Sequence, residues 1–411
     1  MKGMINSKKI FYFLLFLYLI AIFAHQLGTG FDAFFVRFTF ILVVSFAILN
    51  KSKFDFSKQS KWTILFWGYY FISILWSNNY SDGFKYINNF IQILLLTLVV
   101  PQYIEDENDI KTILRYIIIA TLYSCVLLII RTPAFAWGTE RVGAVIGANS
   151  NNLGKKMAIG TLFSLFFINS IIKNNEDKRK YIKLLFYGTC FVLFTLISLF
   201  TGSKKSVFII LFGIMMFEFI NSQGIQKISK FTVAVLIVSI VIYSIFNIPD
   251  LYRILGRRLE RTYYTINQIN YTSKYTDNSL IERQFYISEA KKLFKRSPII
   301  GNGANGFVTH LRNIGYKHVA YSHNNFWELL STLGIIGFSI YYYFVVYMLI
   351  QMIKIYKKKS EPLALLLLII LAILIVLDYG TISYISDFTT ICFLIINKYI
   401  RISKERSVMN E

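Results

Sequence analysis

His323 lies in the polar run Ser322-His-Asn-Asn-Phe-Trp-Glu328, which passes directly into a long apolar segment. An imidazole titrates near neutral pH, so one held where water meets lipid can take a proton from an attacking hydroxyl. The same ring could equally serve as a structural hydrogen-bond donor. Asn324 follows it, and Glu328 comes five residues later, placed either to orient the imidazole or to cap the helix that begins there. Four cations bear on the same chemistry: Arg141, Arg283 and the pair Lys204 and Lys205. A guanidinium fits phosphate with two parallel hydrogen bonds. Gly202 and Ser203, just ahead of the lysines, open a helix whose free amides also attract anions. Arg141 and the lysines lie in short connections, where snorkelling to the interface is the plainer use of such residues.

The elements that carry these residues follow from composition. Of 411 residues, 55% are hydrophobic and 16% charged, with a mean hydropathy of +0.52, whereas soluble domains carry roughly 25% charge. One water-soluble core is thereby excluded. Apolar runs long enough to cross the hydrocarbon layer fall at 10–27, 33–50, 61–76, 84–101, 112–130, 156–172, 182–200, 204–220, 231–248, 326–352, 361–379 and 384–400. The reading is an all-α polytopic membrane protein of about 12 transmembrane helices, with both termini on one side. Basic residues flank three loops on the N-terminal side: Lys51, Lys53, Lys58 and Lys61; then Lys173, Lys178, Arg179, Lys180 and Lys183; then Lys354, Lys357, Lys358 and Lys359. The positive-inside rule makes that side cytoplasmic.

The chain then divides into helices 1–9 over 1–248, a long extracytoplasmic loop over 249–322, and helices 10–12 with a cytoplasmic tail over 323–411. The loop holds mixed aromatic, apolar and charged residues and is expected to fold over the membrane surface. Besides the cations named above, Lys155, Lys156, Arg253, Arg257, Arg258, Arg261, Lys291, Lys292, Lys295 and Arg296 fall on the outer side, against the charge rule. Anionic partners on that face would explain them. A long loop also translocates whatever its charge, and Lys291, Lys292, Lys295 and Arg296 read as a solvated helix face. Nucleic acid is a poor partner for basic residues scattered between apolar runs. No metal is expected, since Asp250, Asp277, Glu260, Glu282 and Glu289 show no clustered-carboxylate spacing. Cys125, Cys190 and Cys392 all lie within apolar runs and suggest no disulfide framework. Gly301, Gly303 and Gly306 spell G-x-G-x-x-G, but without the soluble βαβ context of a dinucleotide loop. Glycines here instead let the backbone turn and approach a ligand or helix closely.

Four stretches occur in order: Arg141-Val-Gly-Ala-Val-Ile-Gly-Ala-Asn149; Thr201-Gly-Ser-Lys-Lys205; the run from Glu282-Arg283 to Pro298-Ile-Ile-Gly-Asn-Gly303; and His323-Asn324 with Gly334 and Gly337. This arrangement resembles the O-antigen ligase and polymerase superfamily of bacterial envelopes. The resemblance implies a GT-C-like, metal-independent glycosyltransferase without cofactor in the bacterial cytoplasmic membrane. Its donor would be a glycan on undecaprenyl pyrophosphate, used at the outer leaflet with a glycan acceptor. By position, Arg283 would grip the pyrophosphate, His323 would act as base or orient the acceptor, and Arg141 would make a second phosphate contact. Lys204 or Lys205 stands where the family commonly has Ser-Arg, and an ammonium lacks the bidentate fork. Asn324 and Glu328 complete the substrate-binding set.

Heavy use of Ile, Lys, Asn, Phe and Tyr points to an AT-rich genome and leans the reading towards a repeat-unit polymerase for capsule or related polysaccharide. Ligation of a finished glycan to a lipid or protein is the alternative. A flippase of lipid-linked sugars is a third reading. A flippase and a chain-length regulator are candidate partners of the polymerase.

Overall fold

In the computed structural model, residues 2–24, 32–50, 54, 56–173, 178–221, 224–267 and 276–409 are described. They form helices α1 (Lys2–Ala24), α2 (Asp32–Asn50), α3 (Lys58–Ile72), α4 (Tyr80–Gly83), α5 (Ile87–Val99), α6 (Glu107–Arg131), α7 (Ser150–Lys173), α8 (Lys180–Phe200) and α9 (Lys204–Asn221). The chain continues through α10 (Gly224–Asn247), α11 (Pro249–Leu251), α12 (Arg257–Ile266), α13 (Asn278–Arg296), α14 (Gly306–Asn313), α15 (Asn325–Lys359), α16 (Pro362–Leu377) and α17 (Asp387–Met409). Among the described residues there is no strand. In lipid every backbone amide must find its partner within the chain, which is why apolar runs of this length become helices.

Eight segments are long and apolar enough to cross a membrane: Ser7–Ala24, Ala33–Asn50, Tyr80–Gln102, Glu107–Arg131, Ser150–Lys173, Lys180–Phe200, Ile228–Asn247 and Asn325–Lys359. The protein is therefore a polytopic helical membrane protein. The other four runs read from the sequence also form helices, each with a limit on length or polarity. α3 has 15 residues and α16 has 16. α9 carries Lys204, Lys205 and Glu218, and α17 carries Asp387, Lys398 and Arg401.

Two compact units interleave along the chain. The first comprises Met1–Val43, Glu107–Asp277 and Ile355–Ile373; the second comprises Val44–Asp106, Asn278–Lys354 and Leu374–Glu411. In the first, Leu199, Val207, Val241, Ile245, Leu251 and Leu255 pack the ends of α8, α9 and α10 against the start of the loop region. Lys155 and Lys156, counted above as outer-loop cations, belong here to α7, which begins at Ser150, six residues ahead of the apolar run. Both are buried. The Lys156 ammonium donates to the Ile22 carbonyl at 2.8 Å and lies 5.0 Å over the Phe23 ring.

In the second unit the core is aromatic. Trp62 stacks on Phe344 and Phe66, and Phe66 meets Tyr341 edge-on. α15 is broken at Gly334 (φ 64°, ψ −168°). The stretch 298–302 docks into the break, with the Ile335 amide donating to the Pro298 carbonyl (2.9 Å) and the Ile336 amide to that of Ile299 (3.2 Å). Gly301 (φ 74°) has no room for a β-carbon, which would come within 2.3 Å of the Thr332 carbonyl oxygen. The glycines thus serve a close backbone approach.

Candidate functional site

In the second unit, α13 presents Glu282, Arg283 and Tyr286 along one helical face, since positions three and four apart are neighbours. Tyr286 is buried with Ala290, Leu293, Phe307 and Leu311. Its hydroxyl lies 2.8 Å from Glu282 Oε1 and 2.7 Å from the His318 carbonyl oxygen, and donates to either. Burial, with the Glu282 carboxylate beside it, pushes this phenol above its ordinary pKa, so it stays a donor. His323 lies across from it: the imidazole stacks on Tyr286 at 5.7 Å with 21° between planes, and Tyr321 is 4.3 Å away.

The His323 backbone takes a left-handed φ of 56°, rare outside glycine and a mark of functional loops. Neighbouring groups hold it there. The Ser322 amide donates to Glu328 Oε2 at 2.7 Å, and the Ser322 hydroxyl to the Asn324 carbonyl at 2.8 Å. Asn324 Oδ1 accepts from the Trp327 amide at 3.1 Å, capping α15. One residue on, Asn325 donates through its amide to the Asp378 carbonyl (2.7 Å), and Tyr342 gives its hydroxyl proton to Asp378 Oδ2 (2.8 Å). Glu328 and Asp378, both buried, are thus the anchors of the loop that carries the imidazole.

Arg283 belongs to the same cluster. Burial raises the Tyr321 phenol's pKa, and the Arg283 charge opposes that rise, which places the guanidinium within electrostatic reach of the ring beside His323. Arg283 is half-buried, and among the described residues it gives no hydrogen bond or ion pair. Other charged groups of the unit differ: Arg312 is bonded to Asp82, and Glu289 takes Lys292 at 2.6 Å and His310 at 3.0 Å. Burial alone would raise the Glu289 carboxyl, but those two donors overcome it and hold its pKa below the usual value. Lys291, Lys292, Lys295 and Arg296 are exposed, as a solvated face requires.

In the first unit, the Arg141 loop meets the Thr201–Lys204 turn. Arg141 Nε donates to the Thr201 carbonyl and its Nη2 to Asn151 Oδ1, both at 2.8 Å. Arg258 donates to the adjacent Gly202 carbonyl. Gly202 (φ 60°) is confined by Ile254, whose Cγ2 would lie 2.8 Å from an added β-carbon. The Lys204 ammonium binds Asp277 Oδ2 at 2.5 Å and the Thr262 hydroxyl at 2.7 Å; Lys205 is half-buried beside it. Sequence order thus brings Arg283, His323, Asn324 and Glu328 together in one unit, and Arg141, Lys204 and Lys205 together in the other. Tyr286, Tyr321 and Arg258 join these clusters without a motif to announce them. Among the described residues, no three of His, Cys, Asp and Glu converge as metal ligands would.

Residues 189–342 match the O-antigen ligase family model. The matched stretch includes Lys204, Lys205, Arg283, His323, Asn324 and Glu328 and leaves Arg141 outside. No curated protein matches the chain.

Proposed function

From the O-antigen ligase domain, which supports membership of the O-antigen ligase and polymerase superfamily, we propose that this protein polymerises glycan repeat units carried on undecaprenyl pyrophosphate. The family's general activity is ligase- or polymerase-type glycan transfer from lipid-linked donors. The observation that supports transfer from a lipid diphosphate is Arg283: a half-buried guanidinium without a hydrogen-bond partner among the described residues, set beside the aromatic pair that brackets His323; the choice of polymerisation over ligation rests on the residue usage of the sequence. A guanidinium left open in this way is prepared for an anion, and a diphosphate matches its fork.

The transfer asks for little beyond charge and position. The acceptor hydroxyl attacks the anomeric carbon while the bond from that carbon to the pyrophosphate oxygen breaks. The hydroxyl proton passes to the His323 imidazole, and the charge gathered on the departing lipid pyrophosphate is held by Arg283. One displacement inverts the anomeric centre. Glu328 and Asn324 position the loop, Arg141 and Lys205 contribute phosphate contacts in their own unit, and Lys204 latches Asp277. The reaction needs no metal in this scheme and takes place on the extracytoplasmic side.

The test is incubation of purified protein with one defined undecaprenyl-pyrophosphate repeat unit. A product ladder without added acceptor, with inverted linkages and undiminished by EDTA, is the expected result. Retention of configuration rejects the single displacement; transfer that occurs only when a lipid or protein acceptor is added makes the protein a ligase.

A further inference from the structure

The first unit holds a second cationic site, at the other end of the helices that carry Arg141 and Lys204. A cavity of about 790 Å³ opens between the start of α6, the end of α7 and the start of α8. Lys111, Arg115, Arg179 and Lys183 line it, with Phe167 and Tyr187 on its wall. The Arg141 loop joins the far ends of α6 and α7, and the Thr201 turn follows the far end of α8. At 1.5 Å per residue, the twenty helical steps of α7 from Ser150 to Ser170 separate the two regions by about 30 Å, the thickness of a hydrocarbon layer. The cavity therefore lies at the opposite membrane boundary, the one the positive-inside rule makes cytoplasmic.

Its lining is organised. Phe167 and Tyr187 stack at 5.0 Å with 14° between their planes, and the Arg115 guanidinium rests 5.3 Å over the Phe167 ring. Arg115 and Lys183 both lie within electrostatic reach of the Tyr187 hydroxyl. Among the described residues no carboxylate lines the cavity, and Asp109, next to the lining residue Asn108, is bonded to Lys8 at 2.8 Å. Beside the opening, α8 exposes Tyr181, Ile182 and Leu185, an apolar flank suited to acyl chains. Cations above an apolar lateral flank, at the depth of the lipid phosphates, match one amphiphile.

We propose that this cavity binds the headgroup of an anionic phospholipid, with the phosphate between Lys111 and Arg115 and the chains along α8. The site is separate from glycan transfer and does not depend on that reading. The phosphate chemistry is shared by soluble anions, so the two sources are tested against each other.

Purified full-length protein is reconstituted in nanodiscs of phosphatidylcholine with a trace of labelled phosphatidylglycerol, and retention of the label is compared with that of labelled phosphatidylcholine. Preference for phosphatidylglycerol is expected, falling about fivefold for Lys111→Gln and about fivefold for Arg115→Gln, the value of one cation near a lipid surface. Arg115→Lys keeps the charge but loses the stacking and falls in between, and Lys354→Gln, elsewhere in the chain, has no effect. Thermal unfolding of each variant reports folding, and Lys111→Gln, on a half-exposed helix position, keeps the test open if Arg115→Gln unfolds. Equal retention of both lipids, or undiminished preference in folded variants, overturns the proposal. Displacement of the label by inorganic phosphate reassigns the site to a soluble anion and also overturns it.

Discussion

Replacing Arg283 separates function from folding, because its guanidinium holds no hydrogen-bond partner among the described residues. Arg283→Ala orphans no carboxylate and opens no buried cavity, so its cost in stability should be that of an ordinary surface change, within about 0.5 kcal/mol. In the proposed transfer, by contrast, the transition state loses the group that receives the leaving charge. Removing one such donor typically costs about 2.7–4 kcal/mol, or a factor of about 10²–10³ in rate. Arg283→Lys restores a point charge without the planar fork. It gives back all but one charged hydrogen bond, about 1.5 kcal/mol, and should run roughly tenfold below the parent. Ladder formation from the defined lipid-linked unit gives the rates, and thermal unfolding in detergent gives the stability. Normal chain growth in Arg283→Ala refutes the assignment. So does a large fall in its melting temperature, which would make the residue structural.

Glu328→Ala leaves the buried Ser322 amide without its acceptor and should cost about 1–3 kcal/mol, together with transfer activity, whereas Glu328→Gln retains a carbonyl acceptor and should keep most of both; denaturant unfolding and ladder assays read the pair. Lys204→Met strands the largely buried Asp277 carboxylate, and the double change with Asp277→Asn should recover stability. A double-mutant cycle without coupling would show that Lys204 is not a latch. Glu289 has a folded pKa below its ordinary value, so its contribution to stability is present above the unfolded carboxylate pKa of about 4.3 and is lost as the pH falls through the lower folded value. Lys292→Met should flatten that part of a melting profile taken between neutral and acid pH; an unchanged profile would put the acid sensitivity elsewhere.

Eight of the twelve runs were legible as candidate spans because an apolar run of membrane length has no other stable fate in lipid. Their ends were harder. Hydropathy cuts α7 at residue 156, since Ser150-Asn-Asn-Leu-Gly-Lys-Lys156 is polar, yet the helix extends through that stretch because the Lys156 ammonium finds the Ile22 carbonyl and the Phe23 face, partners that a sliding window cannot see. Within the candidate site, Arg283 and His323 are recognisable by residue type and order. The rings that bracket the imidazole are not, because Tyr286 and Tyr321 are two of 28 tyrosines and acquire meaning only when α13 meets the loop before α15. Glycines at 301 and 303 signalled a close approach without naming what approaches. The partner, a helix broken at Gly334, depends on a contact thirty-three residues away.

The left-handed backbone at His323 inverts an ordinary rule of protein engineering. In most of a folded chain alanine outlasts glycine, by roughly 0.5–1 kcal/mol inside helices. At φ 56° a β-carbon is itself the burden, worth about 1–2 kcal/mol. Two proteins that both lack the imidazole should therefore rank in reverse, with His323→Gly melting above His323→Ala. The polypeptide accepts a standing conformational tax at the one position where its proposed chemistry needs a ring.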